Sequence, residues 1–482
     1  MASPGKARTG MTRARFGGLA RQWIAPLSLA ALVLALAWFR LGARSFWYDE
    51  AVSGEISSRQ TWSTFLQSIG RESLWGLYYT LLRGWSTIGD SDVALRSMSV
   101  VLAVASVPLF YVLGEKVFGR RSALTSAFLL SINAFFIRYA QEARQYTLAF
   151  LLVTVTSLAF VVAAKKPFGR WRIGYALAAV LSVYAQFFAA FVVGAHFLYL
   201  VLTRRLTRWW LATFLAIGLA ALPLLPALLF FPGFAWIPPT TTYYFGQVLQ
   251  ALAGGLPGPG GPPLLWAYLG FSGVAAWRIS RRSPVEGGLR DRPGMIVAWC
   301  VLPVFGAVIV SIWKRDLVDR YLIVALPPLV LLVGEGISSL PHRGLRAVAL
   351  VGVAALAISG LGAWYSAPSS DYRAAASYVR SQERPADVMV FAPPGSASRP
   401  FEYYFGGNVR EASLPESDAE STSLASSLRR ENDRIWIVVS PIGSGLTGLQ
   451  RLERDVRQSF TNVGVRKFGS LEVQLWEPPA PT

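Results

Sequence analysis

The sequence predicts a mainly α protein, a polytopic bundle of about eleven transmembrane helices followed by a small α/β domain outside the cytoplasm. Three observations carry this. Of the 482 residues 53% are hydrophobic and only 15% are charged, against about a quarter charged in soluble domains. The apolar residues fall in runs of roughly helical spanning length. The basic residues that produce the net charge of +19 sit in short segments between those runs. That placement reads as membrane topology and excludes a nucleic-acid-binding surface as the origin of the charge.

A bilayer core of about 30 Å takes roughly 20 apolar residues per helix. The predicted spans are 22–41, 93–114, 122–137, 146–164, 172–185, 186–202, 209–231, 262–279, 295–312, 320–338 and 347–365. The fifth and sixth are short and nearly continuous, and one long helix is the alternative. Two spans place every basic segment on one side: Lys6 to Arg21, Arg120 and Arg121, Lys165 to Arg172, Arg204 to Arg208, Arg278 to Arg292, and Arg343 with Arg346. By the positive-inside rule that side, with the N-terminus, is cytoplasmic. The opposite side receives the acid-bearing stretches 44–92, 138–144 and 314–320. The first span reads as uncleaved, since no small-residue site follows it. The chain thus divides into a membrane domain, 1–365, and a soluble domain, 366–482.

In the soluble domain, helices are expected over Asp371 to Glu383, Phe401 to Phe405 and Leu449 to Phe460. Strands are expected over Asp387 to Ala392 and Arg434 to Ser440, with a terminal hairpin over Val463 to Trp476. Ser413 to Ser427 reads as loop, as does the Gly/Pro segment Gly254 to Pro263. There is no internal repeat. The lone cysteine, Cys300, lies in an apolar run, which excludes an intramolecular disulfide and a cysteine metal site. Forty Arg against six Lys, with abundant Ala and Gly, suggests a GC-rich bacterial genome and hence the inner (plasma) membrane.

Candidate chemistry concentrates at the outer ends of the spans. Phe46-Trp47-Tyr48-Asp49-Glu50 puts two carboxylates beside three aromatics at membrane-surface depth. A carboxylate in a partly dry site can accept a hydroxyl proton; an interfacial aromatic belt is the alternative. In 138–146, Arg138, Tyr139, Gln141, Glu142, Arg144 and Tyr146 suit an anionic ligand, because Arg offers a planar fork to phosphate oxygens. Arg138, Gln141 or Glu142, and Gln145 follow helical spacing; a turn held by its own Glu–Arg pairs is the alternative. Arg320, with Asp316, Asp319 and Tyr321, enters the membrane at its outer end, where it either binds a lipid phosphate or snorkels. Trp75, Tyr78 and Tyr79 belong to an aromatic helix of the first loop, with packing as their expected role. His196 is expected to be packed and hydrogen-bonded.

On four segments the sequence resembles the GT-C fold glycosyltransferases, the group of protein O-mannosyltransferases and lipid A aminoarabinose transferases. They are Trp47 to Ala51, Gly76 to Tyr79, Arg138 to Tyr146, and Asp319 to Leu322, with Asp371 to Ala375 resembling the start of the soluble domain in bacterial members. The resemblance implies an inverting transferase, mannosyltransferase-like, that passes a hexose or pentose from a polyprenyl-phosphate donor to a protein, lipid or glycan acceptor outside the cytoplasm. It implies Asp49 as the catalytic base, with Glu50 supporting it or binding acceptor. Arg138, Arg144 and Arg320 would stabilise phosphate, while Glu142 and Tyr146 would position sugar or those arginines. Tyr139, Gln141, Tyr321, Tyr78 and Tyr79 complete the substrate-binding set. Many relatives carry His or Lys and Pro where this chain has Leu74-Trp75-Gly76, which weakens any metal or phosphate contact from there. No cofactor is expected to be required, although Asp49, Glu50 and Glu142 have the oxygen donors a divalent metal takes. A transporter or lipid flippase is the principal alternative function, and a scaffold presenting the soluble domain the third. Paired repeats and midplane charges, the usual transporter marks, are not what the sequence presents.

Overall fold

A computed structural model describes residues 5–165, 169–230, 237–255, 261–281, 292–407, 410–431, 433–441 and 446–479, with side chains from residue 22 onward. Lys166, most of the basic loop before Arg292 and the centre of the Gly/Pro segment lie outside these. The chain forms two compact units. The first comprises 1–39, 66–81 and 96–366; the second comprises 40–65, 82–95 and 367–482.

The first unit is helical, and each of the eleven apolar runs is helix. Among the described residues six helices are long and apolar enough to cross a membrane. They are Asp92–Phe118, Tyr146–Ala163, Arg208–Phe230, Pro293–Lys314, Asp319–Ser338 and Arg343–Ser366. A seventh is the pair Arg120–Ser131 and Ala134–Ala140, bent by 59°. The bend has a local cause: Asn133 is extended, and its Oδ1 accepts from the Phe136 amide at 2.9 Å, capping a new helix. Spans five and six are separate helices, Arg170–Ala185 and Ala189–Leu202, divided where Gln186 turns extended. At 16 and 14 residues they are about 24 and 21 Å long.

Outward faces are apolar. Leu211, Leu215 and Leu219 on one helix, and Val348, Val351 and Ile358 on another, are exposed, a pattern suited to lipid rather than water. Inside, small residues allow backbones to approach closely: a Cβ at Gly334 would overlap Ser126 Oγ, and one at Gly336 the Phe271 carbonyl. Buried polar groups are paired across helices. Ser122 Oγ donates to Glu335 at 2.7 Å. His196 lies between the Tyr175 hydroxyl and Ser157 Oγ, each at 3.3 Å, stacked on Phe160, a packed residue as expected.

In the second unit the C-terminal segment forms a five-stranded sheet: β1 Val388–Ala392, β2 Glu411–Ala412, β3 Ile435–Val439, β4 Thr461–Phe468 and β5 Leu471–Glu477, in the order β2-β1-β3-β5-β4. β2, β1 and β3 are parallel; β3, β5 and β4 are antiparallel. Strand alternation produces two cores. Met389, Phe391, Trp436 and Val438 face helices Tyr372–Arg380 and Ser398–Phe405, while Val390, Ile435 and Ile437 face helices Asp418–Glu431 and Leu446–Ser459.

One expectation is corrected: most of Ser413 to Ser427 is helix, not loop. Its polarity hid a helical pattern, because Ser421, Ala425 and Leu428 recur on one buried stripe. Ser417 Oγ accepts from the Glu420 amide at 3.2 Å, and Asp418 and Glu420 stabilise the first turn. The Gly/Pro loop is also shorter than expected, since Pro262 and Pro263 open the helix Gly261–Ser280, where a missing N–H costs nothing.

Candidate active site

The candidate residues fall in both units. In the second unit Asp49 and Glu50 occupy the first turn of the helix Tyr48–Gly54, where carboxylates are stabilised by the helix N-terminus. Glu50 is 1% exposed while Asp49 is half-buried. Ser53 Oγ donates to the Asp49 carbonyl at 2.8 Å.

Residues more than 300 positions away hold this helix. The Phe46 amide donates to the Tyr404 hydroxyl at 2.7 Å, Ser45 Oγ donates to the Ser370 carbonyl at 2.8 Å and accepts from the Tyr372 amide at 2.9 Å. Asp92 accepts from both Arg373 and the Tyr404 hydroxyl. Arg59 donates to the Tyr403 carbonyl at 2.6 Å and lies 3.6 Å above its ring centre. Tyr403 in turn leaves no room at Gly54, where a Cβ would come within 2.9 Å of the ring. Burial pushes the Tyr403 phenol up, against the lowering influence of Arg59.

In the first unit the segment 138–146 is not one helical face, as its spacing suggested. Helix Ala134–Ala140 stops, residues 141–145 form a turn, and Tyr146 starts the next helix. The turn separates the polar residues into three roles. Arg138 Nε donates to Glu142 Oε1 at 3.3 Å, and Nη1 lies 3.8 Å from Asp319 Oδ2; its guanidinium also covers the rings of Tyr139 and Trp364. Gln141 is committed to structure, donating to the carbonyls of Ala37 and Phe39 at 3.1 and 2.8 Å and accepting from Trp364 Nε1 at 2.7 Å. Arg144, 4% exposed, donates to the Tyr79 hydroxyl at 3.3 Å and lies 5.6 Å from the Trp75 ring centre.

Tyr78 and Tyr79 are fully buried in helix Gly76–Trp85 rather than spread on a surface. Tyr139 and Tyr146 meet edge to face at 4.6 Å. Arg320 and Tyr321 lie in the 3₁₀ turn Asp319–Ala325, with Tyr321 stacked on Phe188 at 5.8 Å, and Asp319 Oδ1 accepts from the Arg320 amide at 2.7 Å. Outside the spans, burial raises the Asp316 carboxyl, and Lys314 opposes it.

Some polar groups here have nowhere to go. Among the described residues the Tyr139 hydroxyl and both amide atoms of Gln145 and of Gln186 are buried without a hydrogen-bond partner. Such groups cost about 1–3 kcal/mol each unless something satisfies them. Gln186 and Trp364 were not marked as site residues by sequence motif. Only a Gln interrupting an apolar run signalled the first. Among the described residues no three His, Cys, Asp or Glu side chains converge as a metal site.

Residues 77–236 match the family model of dolichyl-phosphate-mannose-protein mannosyltransferases. A comparison with curated proteins finds no match. Among solved structures the chain is similar to ArnT from Cupriavidus metallidurans bound to undecaprenyl phosphate, at 14% identity and a TM-score of 0.57, covering 93% of this chain and 97% of that one. It is also similar to the Archaeoglobus fulgidus oligosaccharyltransferase complexed with zinc and sulfate, at 13% identity and a TM-score of 0.55, covering 86% and 68%. The archaeal oligosaccharyltransferase AglB from Archaeoglobus fulgidus, in complex with an inhibitory peptide and a dolichol-phosphate, matches at 11% identity and a TM-score of 0.52, covering 91% and 72%. The structural matches show that the chain has the GT-C fold of these membrane glycosyltransferases, and the family model covers about a third of its length.

Proposed function

We propose that the enzyme is an inverting transferase that moves a sugar from a polyprenyl-phosphate donor to an acceptor hydroxyl outside the cytoplasm. The observation that carries the reading is the polar set of the first unit, the partly buried Arg138 with the buried Glu142 and Arg144 and the unsatisfied Tyr139 and Gln145. Cations and unspent hydrogen-bonding groups in a dry environment suit a lipid-borne phosphate and a sugar. Two structural neighbours carry ligands of this class: ArnT holds undecaprenyl phosphate, and AglB holds a dolichol-phosphate and an inhibitory peptide.

In the proposed reaction the acceptor oxygen attacks the anomeric carbon and gives its proton to Asp49, while the bond from that carbon to the phosphate oxygen breaks on the opposite face. Asp49 is the general base. Glu50, buried beneath it in the same turn, supports its orientation. Arg138, Arg144 and Arg320 stabilise the charge that develops on the departing lipid phosphate. Glu142, Tyr139, Tyr146, Tyr78, Tyr79 and Tyr321 shape the sugar pocket, and Gln141 positions the turn. No metal is required in this scheme, because arginine supplies the cationic charge. A mannose-like hexose or a pentose is the proposed sugar, with a protein, lipid or glycan as acceptor. The charge asymmetry of the loops supports an inner-membrane protein with a cytoplasmic N-terminus and an extracytoplasmic C-terminal domain. The structural neighbours named above are transferases, which favours this reading over a transporter or flippase.

Purified enzyme incubated with a panel of polyprenyl-phosphate sugars and a mixed acceptor fraction should consume one donor and release the lipid phosphate. Consumption of none, together with no thermal stabilisation by any of them, would remove this reading.

A further inference from the structure

At the end of the first unit that carries its basic loop residues, a cavity of about 330 Å³ opens between three helices. It lies at the start of Arg120–Ser131, the end of Leu326–Ser338 and the start of Arg343–Ser366. Arg121, Arg343 and Arg346 line it together with the hydroxyls of Thr125 and Ser338, which lie 3.2 Å apart. No carboxylate lines it. The acid nearest in sequence, Glu335, is 6% exposed and accepts from Ser122 Oγ. Two of the helices begin here, and neither has an acidic residue in its first turn. Gly119, before the first of them, makes no side-chain cap. Arginines, helix N-termini and hydroxyl donors therefore all favour an anion at one place.

The rest of the wall says what kind of anion. Ile337, Ala347 and Leu350 are apolar, and Val351, beside Leu350 on the same helix, is 68% exposed. Such a surface belongs in hydrocarbon, one turn from the arginines. We propose that the cavity is a binding site for the phosphate headgroup of an anionic membrane lipid, whose acyl chains run along Leu350 and Val351. The site is independent of the sugar-transfer chemistry, and its ligand is a membrane phospholipid rather than a soluble phosphate.

Native mass spectrometry of the delipidated full-length protein, titrated with phosphatidylglycerol, phosphatidylcholine or inorganic phosphate, tests this. Phosphatidylglycerol should bind at least tenfold more tightly than phosphatidylcholine. The double variant Arg343→Ala, Arg346→Ala should lose about fivefold per arginine. Arg278→Ala with Arg281→Ala, two basic residues outside the cavity, should leave the affinity unchanged. Equal binding of the two lipids, or undiminished phosphatidylglycerol binding by the Arg343/Arg346 variant, overturns the proposal. Displacement of the lipid by inorganic phosphate at comparable concentration would show a soluble anion as the occupant and overturn it as well.

Discussion

Replacing Arg144 with Ala should weaken binding of a polyprenyl-phosphate donor by about 10- to 150-fold. The side chain is 4% exposed and fixed by the Tyr79 hydroxyl at 3.3 Å and the Trp75 ring. It therefore meets a phosphate already desolvated and with little rotamer entropy left to lose. A hydrogen bond to a charged partner contributes about 1.5–3 kcal/mol, and about 1.4 kcal/mol corresponds to each tenfold in affinity, which together set that range. Arg144→Lys keeps the charge but not the planar fork, so an intermediate loss of about tenfold is expected. Tyr79→Phe removes only the bond that orients the guanidinium, about 1 kcal/mol or fivefold. Calorimetric titration of the purified protein with undecaprenyl phosphate reads the affinity, and a thermal melt confirms that each variant is folded. A folded Arg144→Ala protein with wild-type affinity would refute the assignment of Arg144 to the donor phosphate.

Asp49→Asn should lower transfer by about 10²–10⁴-fold with the melting temperature unchanged, since Asp49 is half-buried; wild-type turnover would remove it as the base. Gly54→Ala should lower turnover and cost about 1–3 kcal/mol of stability, because the added Cβ meets the Tyr403 ring at 2.9 Å; a variant with unaltered kinetics and melting would show the helix tolerates displacement. Arg434→Ala should destabilise the sheet domain by about 3–5 kcal/mol in a denaturant titration of the full chain. Arg434 forks onto Asp387 at 2.7 and 2.8 Å with both residues buried, and Asp387→Leu added to it should recover part of the loss. Burial raises the Tyr372 phenol above its usual value of 10.0. The unfolded chain then loses that proton first, so stability is full below pH 10 and falls as pH rises beyond it. Tyr372→Phe should flatten that alkaline fall, and an unchanged pH profile would contradict it.

Much of the architecture was legible because hydropathy and charge are local properties. The break at Gln186, the helices Tyr372–Arg380, Ser398–Phe405 and Leu446–Ser459 and the strands Val388–Ala392 and Ile435–Val439 were each written in a short stretch of residues. The helix Asp418–Glu431 was not, since its buried stripe consists of Ser421, Ala425 and Leu428, a small and partly polar face that becomes apolar in effect only against the sheet. The motif residues show the same division. Asp49, Arg138 and Arg144 were identifiable by type and order, yet nothing local distinguished Gln141, whose amide is spent on backbone and Trp364, from Gln145, whose amide is buried and unspent.

The sequence by itself determined that the chain lives in a membrane, where most of its helices run, and which loops carry acids and which carry arginines. Only the tertiary structure decided which of them are held and which are available. The Asp49 helix is fastened by Tyr403 and Tyr404, the Phe46 to Tyr404 bond closing over 358 residues. Arg138 finds one partner four residues away and another at Asp319. Hydrogen bonds and burial depend on distance in space, and a linear pattern carries no record of which distant groups the fold brings within 3 Å.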